Sequence, residues 1–233
     1  MAPMNLKNLL AALVLAPAAA LAQVPPPQNV LQLSATGTVE VQQDLLSMTL
    51  SVTREGADPT AVQNQLKTAL DAALNEARKT AQPGQMDVRT GNFSLYPRHG
   101  RDGRIAAWNG TAELVLEGRD FPRITQAAGR INTMTLAGVG FSLSREQRAR
   151  VETEAQAQAI ERFKARAAEL AKGFGFSGYT LREVAVNSND MGFPRPMRGA
   201  VMSMEAKAAD APVPVEPGKS SVVVTVSGSV QLR

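Results

Sequence analysis

The chain has 233 residues, with 25 Lys and Arg against 21 Asp and Glu, one His and no Cys, for a formal charge of +4. Without Cys there is no disulfide, thiolate nucleophile or zinc–thiolate site, and a single His cannot build a His-based metal centre. The length suits one large domain or two small ones, and the arginines are scattered rather than interleaved with aromatics, which argues against nucleic-acid binding.

The first 22 residues read as a cleavable signal peptide. Lys7 supplies the positive start, Leu9 to Leu21 is an uninterrupted apolar run, and Ala20-Leu21-Ala22 provides the small side chains that a signal peptidase accepts, with cleavage after Ala22. The run falls short of the roughly 20 helical residues needed to span a bilayer. No Cys follows it, so the N-terminus is not a lipidation site. Removing residues 1–22, which hold Lys7 and no acidic residue, lowers the formal charge from +4 to +3. The expected address is the bacterial periplasm, with association to the outer membrane as an extension of it. No later segment has the length and apolarity of a span, which leaves a soluble or peripherally attached protein.

Residues 23–30, with Pro25-Pro26-Pro27, read as an extended tether. Alternating apolar and polar residues predict strands over 31–41 and 44–54, joined by a tight turn at Gln42-Gln43. Asp58-Pro59 starts a helix, with Asp as cap and Pro at the first helical position. Its apolar face comprises Val62, Leu66, Ala69, Leu70, Ala73 and Ala77, and Pro83-Gly84 ends it. Strands over 86–97 and 104–117 flank a polar hairpin connection at 98–103, and a short helix over 120–131 leads to a strand near 134–143. Ser144 opens the longest helix with a capping box to Gln147, and Gly173 is read as its left-handed terminator. Val151, Ala155, Ala159, Phe163, Ala167 and Ala171 form its stripe, whose alanines allow a close approach to a sheet or helix. A strand near 179–187, an irregular segment over 188–219 and a strand over 220–232 complete residues 31–233 as one domain. The order contains a split β-α-β-β-α-β core, so the fold class is α+β with a mostly antiparallel sheet plus the long Ala-rich helix.

Chemistry-bearing residues are sparse. His99 sits in an Arg-rich hairpin tip and reads as a solvated loop residue. No nucleophile elbow, phosphate loop or zinc-protease motif occurs. Helix carboxylates such as Glu161 and Glu169 have a Lys three residues on and read as surface pairs, and Trp108 reads as a sheet-packing residue. The expectation is a protein that is not an enzyme and carries no cofactor. Met191, Met197, Met202 and Met204 are the metal candidates, since thioethers are soft ligands for Cu(I) and oxidise reversibly. The alternative reading of these methionines is adaptable apolar filler. A hydrolase built on a carboxylate pair that only the fold would reveal is a further alternative.

Several short patterns, in order, carry a resemblance. They are Gly37-Thr38-Val39-Glu40, Asp44 before an alternating strand, Arg89-Thr90 followed by Phe93 to Pro97, Trp108 to Ala112, the Ala-rich helix from Ala155 to Gly173, and Pro214 to Gly218. From about Leu31 to Arg233 the chain resembles the SIMPL-domain family of bacterial envelope proteins, which includes periplasmic immunogenic proteins. It departs from the family pattern at Gln43, where Pro is usual, and at Trp108, where Gly-Tyr is usual. The resemblance implies an α+β fold, an envelope location, assembly into rings in some members and a link to oxidative-stress tolerance in some, and it supplies no catalytic residue. The expected partners are further copies of the chain, reached through the Val face of the last strand and the Ala stripe, or other envelope proteins.

Overall fold

Period-2 and period-3.6 patterns produce ten elements over the residues that the computed structural model describes, 28–189 and 214–233. In chain order they are β1 (Val30–Gln42), β2 (Leu45–Gly56), α1 (Pro59–Arg78), β3 (Asp87–His99), β4 (Ile105–Gly118), α2 (Phe121–Arg130), β5 (Thr135–Ser142), α3 (Arg145–Gly173), β6 (Tyr179–Asn189) and β7 (Lys219–Leu232). The signal peptide, most of the tether and residues 190–213, with all four candidate methionines, lie outside the described residues.

Strands β2 to β5 form a four-stranded antiparallel sheet in the order β3-β4-β2-β5, which is the split β-α-β-β-α-β arrangement. Leu46, Met48 and Leu50 of β2 and Ala112, Leu114 and Leu116 of β4 point to one face and are buried beneath α1 and α2. The six α1 residues of the expected apolar face are the six that are buried. Asp58 caps that helix by accepting from the Thr60 amide at 2.9 Å, so one of the four free N-terminal amides is satisfied.

The remaining strands form a second antiparallel sheet in the order β1-β7-β6, backed by α3. Ala159, Phe163, Ala167 and Ala171 pack on Val226, Val230 and Leu232 in a separate core. The antiparallel α+β class therefore holds, with the strands divided between two sheets. The turn expected at Gln42-Gln43 is not a hairpin. Gln43 still donates its amide to Gly218, which leads into β7 of the three-stranded sheet (3.0 Å), whereas Asp44 already donates to Ser142 of β5 in the four-stranded sheet (3.1 Å). The chain thus changes sheets between consecutive residues. A two-residue hairpin needs residues that accept positive φ, and Asn29 is the one non-glycine residue with positive φ among those described.

Two local expectations are also corrected. Gly173 is the last residue of α3, and the left-handed residue is Gly175 (φ +82°). The amides of Gly175 and Phe176 donate to Lys172 and Ala171, which satisfies carbonyls of the last turn in a Schellman motif. At the other end, Ser144 Oγ accepts from the Gln147 amide (3.2 Å) as expected. The Ser144 amide, however, donates to Asp44 Oδ1 (2.7 Å), which fills the place a returning Gln147 side chain would take in a capping box.

Candidate functional site

Polar chemistry concentrates at three places, the first being the junction between the sheets. Both Asp44 oxygens are occupied by Ser144, Oδ1 by its amide and Oδ2 by its hydroxyl at 2.6 Å. Arg119 lies 3.5 Å from Asp44 Oδ2 and also pairs with Glu146. Asp44 and Glu146 therefore share a guanidinium, and the group holds the start of α3 against β2. Its geometry is that of a clamp, since every acceptor of Asp44 is directed at a structural donor.

A second cluster lies at the start of α2. Asp120 Oδ1 accepts from the Arg123 amide (3.0 Å), Oδ2 from Arg123 Nε (2.9 Å), and Arg123 Nη1 donates to the Thr80 carbonyl (3.3 Å). The hydrogen bond from the Arg123 amide, more than any other cause, holds the Asp120 carboxyl below the usual carboxylate range; desolvation opposes it, and the hydrogen bond and charge of the Arg123 guanidinium add smaller lowering effects. This is the electrostatics of a helix cap.

The third place comprises the sheet edges, four strands with one side unpaired among the described residues. An open edge is a template for another strand unless it is charged, bulged, interrupted by Pro or covered. On β1, Arg162 of α3 donates to the Thr36 carbonyl at 2.7 Å. On β3, Pro97, Arg89 and Arg98 intervene, and the Asn92 amide is taken by Glu113 (3.1 Å). On β6, a bulge carries Arg182 and Glu183, beyond which Val184 and Val186 are exposed. Strand β5, Thr-Leu-Ala-Gly-Val-Gly-Phe-Ser, has a bulge but neither a charge nor a Pro. Its Leu136 (41 % exposed) and Val139 (40 %) lie on the core side of the sheet, where the helices leave them uncovered.

The sequence-derived candidates are distributed differently. His99 ends β3 and is exposed, with Ile105 as its register partner. Trp108 packs half-buried on the four-stranded core as expected. Asn109 Oδ1 beside it is a buried acceptor without a donor among the described residues. The surfaces expected to drive association are used inside the molecule. Val224, Val226 and Val230 of β7 are buried under α3, and the Ala stripe is the other half of that contact. The edge strands escaped sequence reasoning because strand order is non-local; the lack of charge over 135–142 was the available signal. A shallow groove of about 460 Å³ on the open face of the three-stranded sheet is lined by Gln32, Ser34, Glu183, Ser227 and Ser229, side chains suited to solvation. Among the described residues no three His, Asp or Glu converge to hold a metal, and no helix is long and apolar enough to cross a membrane.

Two antiparallel sheets with separate helical layers, clamped at one carboxylate and with one uncharged edge at β5, define an α+β protein. Residues 31–230 match the model of the SIMPL family, described as a protein of unknown function (DUF541), and the chain belongs to that family. No curated protein matches it.

Proposed function

We propose that this SIMPL protein is a non-enzymatic component of the bacterial envelope that works by strand-edge pairing, with further copies of itself or with an envelope partner. The observation that carries the reading is β5, an eight-residue edge with no charge and with Leu136 and Val139 exposed. Edge addition supplies main-chain hydrogen bonds for affinity and alternate side chains for specificity. Strand β6 is an edge of the other sheet, with Val184 and Val186 exposed beyond its charged bulge. Two different edges on one molecule permit head-to-tail contacts, which close into rings where the rotation allows. Export to the periplasm is supported by the leader pattern of residues 1–22. A role in oxidative or envelope stress tolerance, and the association with rings, are supported by the family resemblance.

The test is light scattering on the purified chain beside Val139→Lys. A charge facing an edge is a natural device against pairing. The expected result is an assembly for the parent and a smaller species for the variant, with unchanged far-UV dichroism. A parent that stays monomeric over all accessible concentrations, together with no β5-dependent capture of an envelope protein, would remove this reading.

A further inference from the structure

The β3–β4 hairpin runs past the end of its neighbour. Strand β2 stops at Gly56, opposite Trp108, so the ribbon from about Arg98 to Ala107 has no β2 residue beside it and projects from the sheet. Its tip is held in one shape. The Gly100 amide donates to the Arg104 carbonyl (2.8 Å), the Gly103 amide to the Gly100 carbonyl (3.1 Å), and the Arg104 amide to Asp102 Oδ1 (3.2 Å). Gly103 takes the positive φ (+76°) that this turn requires.

The cations on the ribbon fall into two kinds. Arg98 is neutralised by Glu55, whose Oε1 accepts from its Nη2 at 2.7 Å and its Nε at 3.1 Å. Arg101 and Arg104, in contrast, are exposed, and their guanidinium groups have no acceptor among the described residues. The one carboxylate between them, Asp102, already directs an oxygen at the Arg104 amide. Next to this pair stands Ile105, 52 % exposed at the outermost position of β4, with His99 opposite it. The arrangement is two unpaired guanidinium forks and one apolar side chain on a preformed projecting turn.

We propose that this hairpin tip docks on an anionic membrane surface, with Arg101 and Arg104 at lipid phosphates and Ile105 entering the interfacial layer. A guanidinium matches phosphate oxygens two at a time. An anionic leaflet attracts each such cation within a Debye length. The charge complementarity selects an anionic surface, and the exposed apolar residue among the cations selects a lipid interface over a dissolved polyanion. A fixed turn loses little conformational freedom on docking, so a small contact suffices for reversible attachment. The proposal is independent of strand-edge pairing, because β5 and the tip share no residue.

Vesicle co-sedimentation of the full chain tests it, using phosphatidylcholine alone and phosphatidylcholine with about a third phosphatidylglycerol. The readout is the ratio of binding to anionic over neutral vesicles, which cancels any charge-independent contribution from the apolar run at residues 9–21. That ratio should fall on the order of 30-fold in Arg101→Ala/Arg104→Ala, two attractive charges being lost. It should be kept only in part in Arg101→Lys/Arg104→Lys, which retains the charges but not the paired donors, and should collapse in high salt for the parent. Melting curves confirm that both double variants are folded. A parent that binds both vesicle types equally, or a ratio unmoved by the Ala pair, would overturn the proposal. So would binding of the parent to heparin that anionic vesicles fail to displace, which would assign the tip to a soluble polyanion.

Discussion

Asp120 shows how much of one residue's behaviour follows from its donors. Its carboxylate receives the Arg123 amide and guanidinium at the first turn of α2, where the helix dipole also favours negative charge. The folded state therefore holds the proton more weakly than the unfolded chain. With a depressed folded pKa, the stabilisation is complete above the ordinary carboxylate value near about 4 and is lost as pH falls through the lower folded value. Asp120→Asn should melt at a lower temperature than the parent at neutral pH, and the gap should narrow as the buffer is taken below about pH 4. Parallel melts over that range check it. A gap independent of pH would mean that the cap acts through geometry alone.

Among the elements, the helices were the most legible part of the chain, because a 3.6-residue period is recorded within a few turns of sequence. All six stripe residues of α3 are buried, as are those of α1. What the period leaves open is the partner of each face. The alanines of α3 meet β1 at Gly37, where an added Cβ would sit 1.9 Å from the Ala155 carbonyl oxygen and 2.8 Å from the Ala159 amide. The obstacle is helix backbone, which cannot turn aside as a side chain can. Gly37→Ala should therefore destabilise by about 2 kcal/mol or more, at the upper end of overpacking effects. Urea unfolding measures it, with the exposed Gly129→Ala as a control whose Cβ would meet nothing. The β1–β2 connection was misread for the reason that made the helices easy. Alternation identifies a strand without naming its neighbour, and at Gln42-Gln43 the turn chemistry of a hairpin is absent. The candidate edges were hidden likewise, since β5 becomes an edge only once β2 has paired with β4.

At the scale of the molecule, two cores meet at the Asp44 clamp. The backbone passes between them at residues 43–44, and α3 is tied back to β2 by the bonds from Ser144. Asp44→Ala leaves the largely buried Ser144 donors without their acceptor. It should cost about 1–3 kcal/mol, the penalty for stranding such groups. It should also loosen the coupling of the two units. Trp108 packs on the four-stranded core, so its fluorescence reports that unit, while far-UV dichroism reports both. The two urea transitions should coincide in the parent and separate in Asp44→Ala, and coincidence in both proteins would locate the coupling elsewhere.

The position of β7 has a kinetic consequence. It is the last strand in sequence and the middle strand of its sheet, with β1 on one side and β6 on the other. Gln231 reaches the Gln28 carbonyl across 203 positions. The four-stranded unit closes from contiguous pieces, whereas neither β1 nor β6 has a sheet to join until β7 is present. Closing so long a loop is slow, and contacts of this separation dominate the refolding time. A chain emerging from a ribosome or a translocation pore therefore keeps the three-stranded sheet open until β7 is released. Within that interval β1 is an unclaimed strand, available to any holdase that binds extended segments.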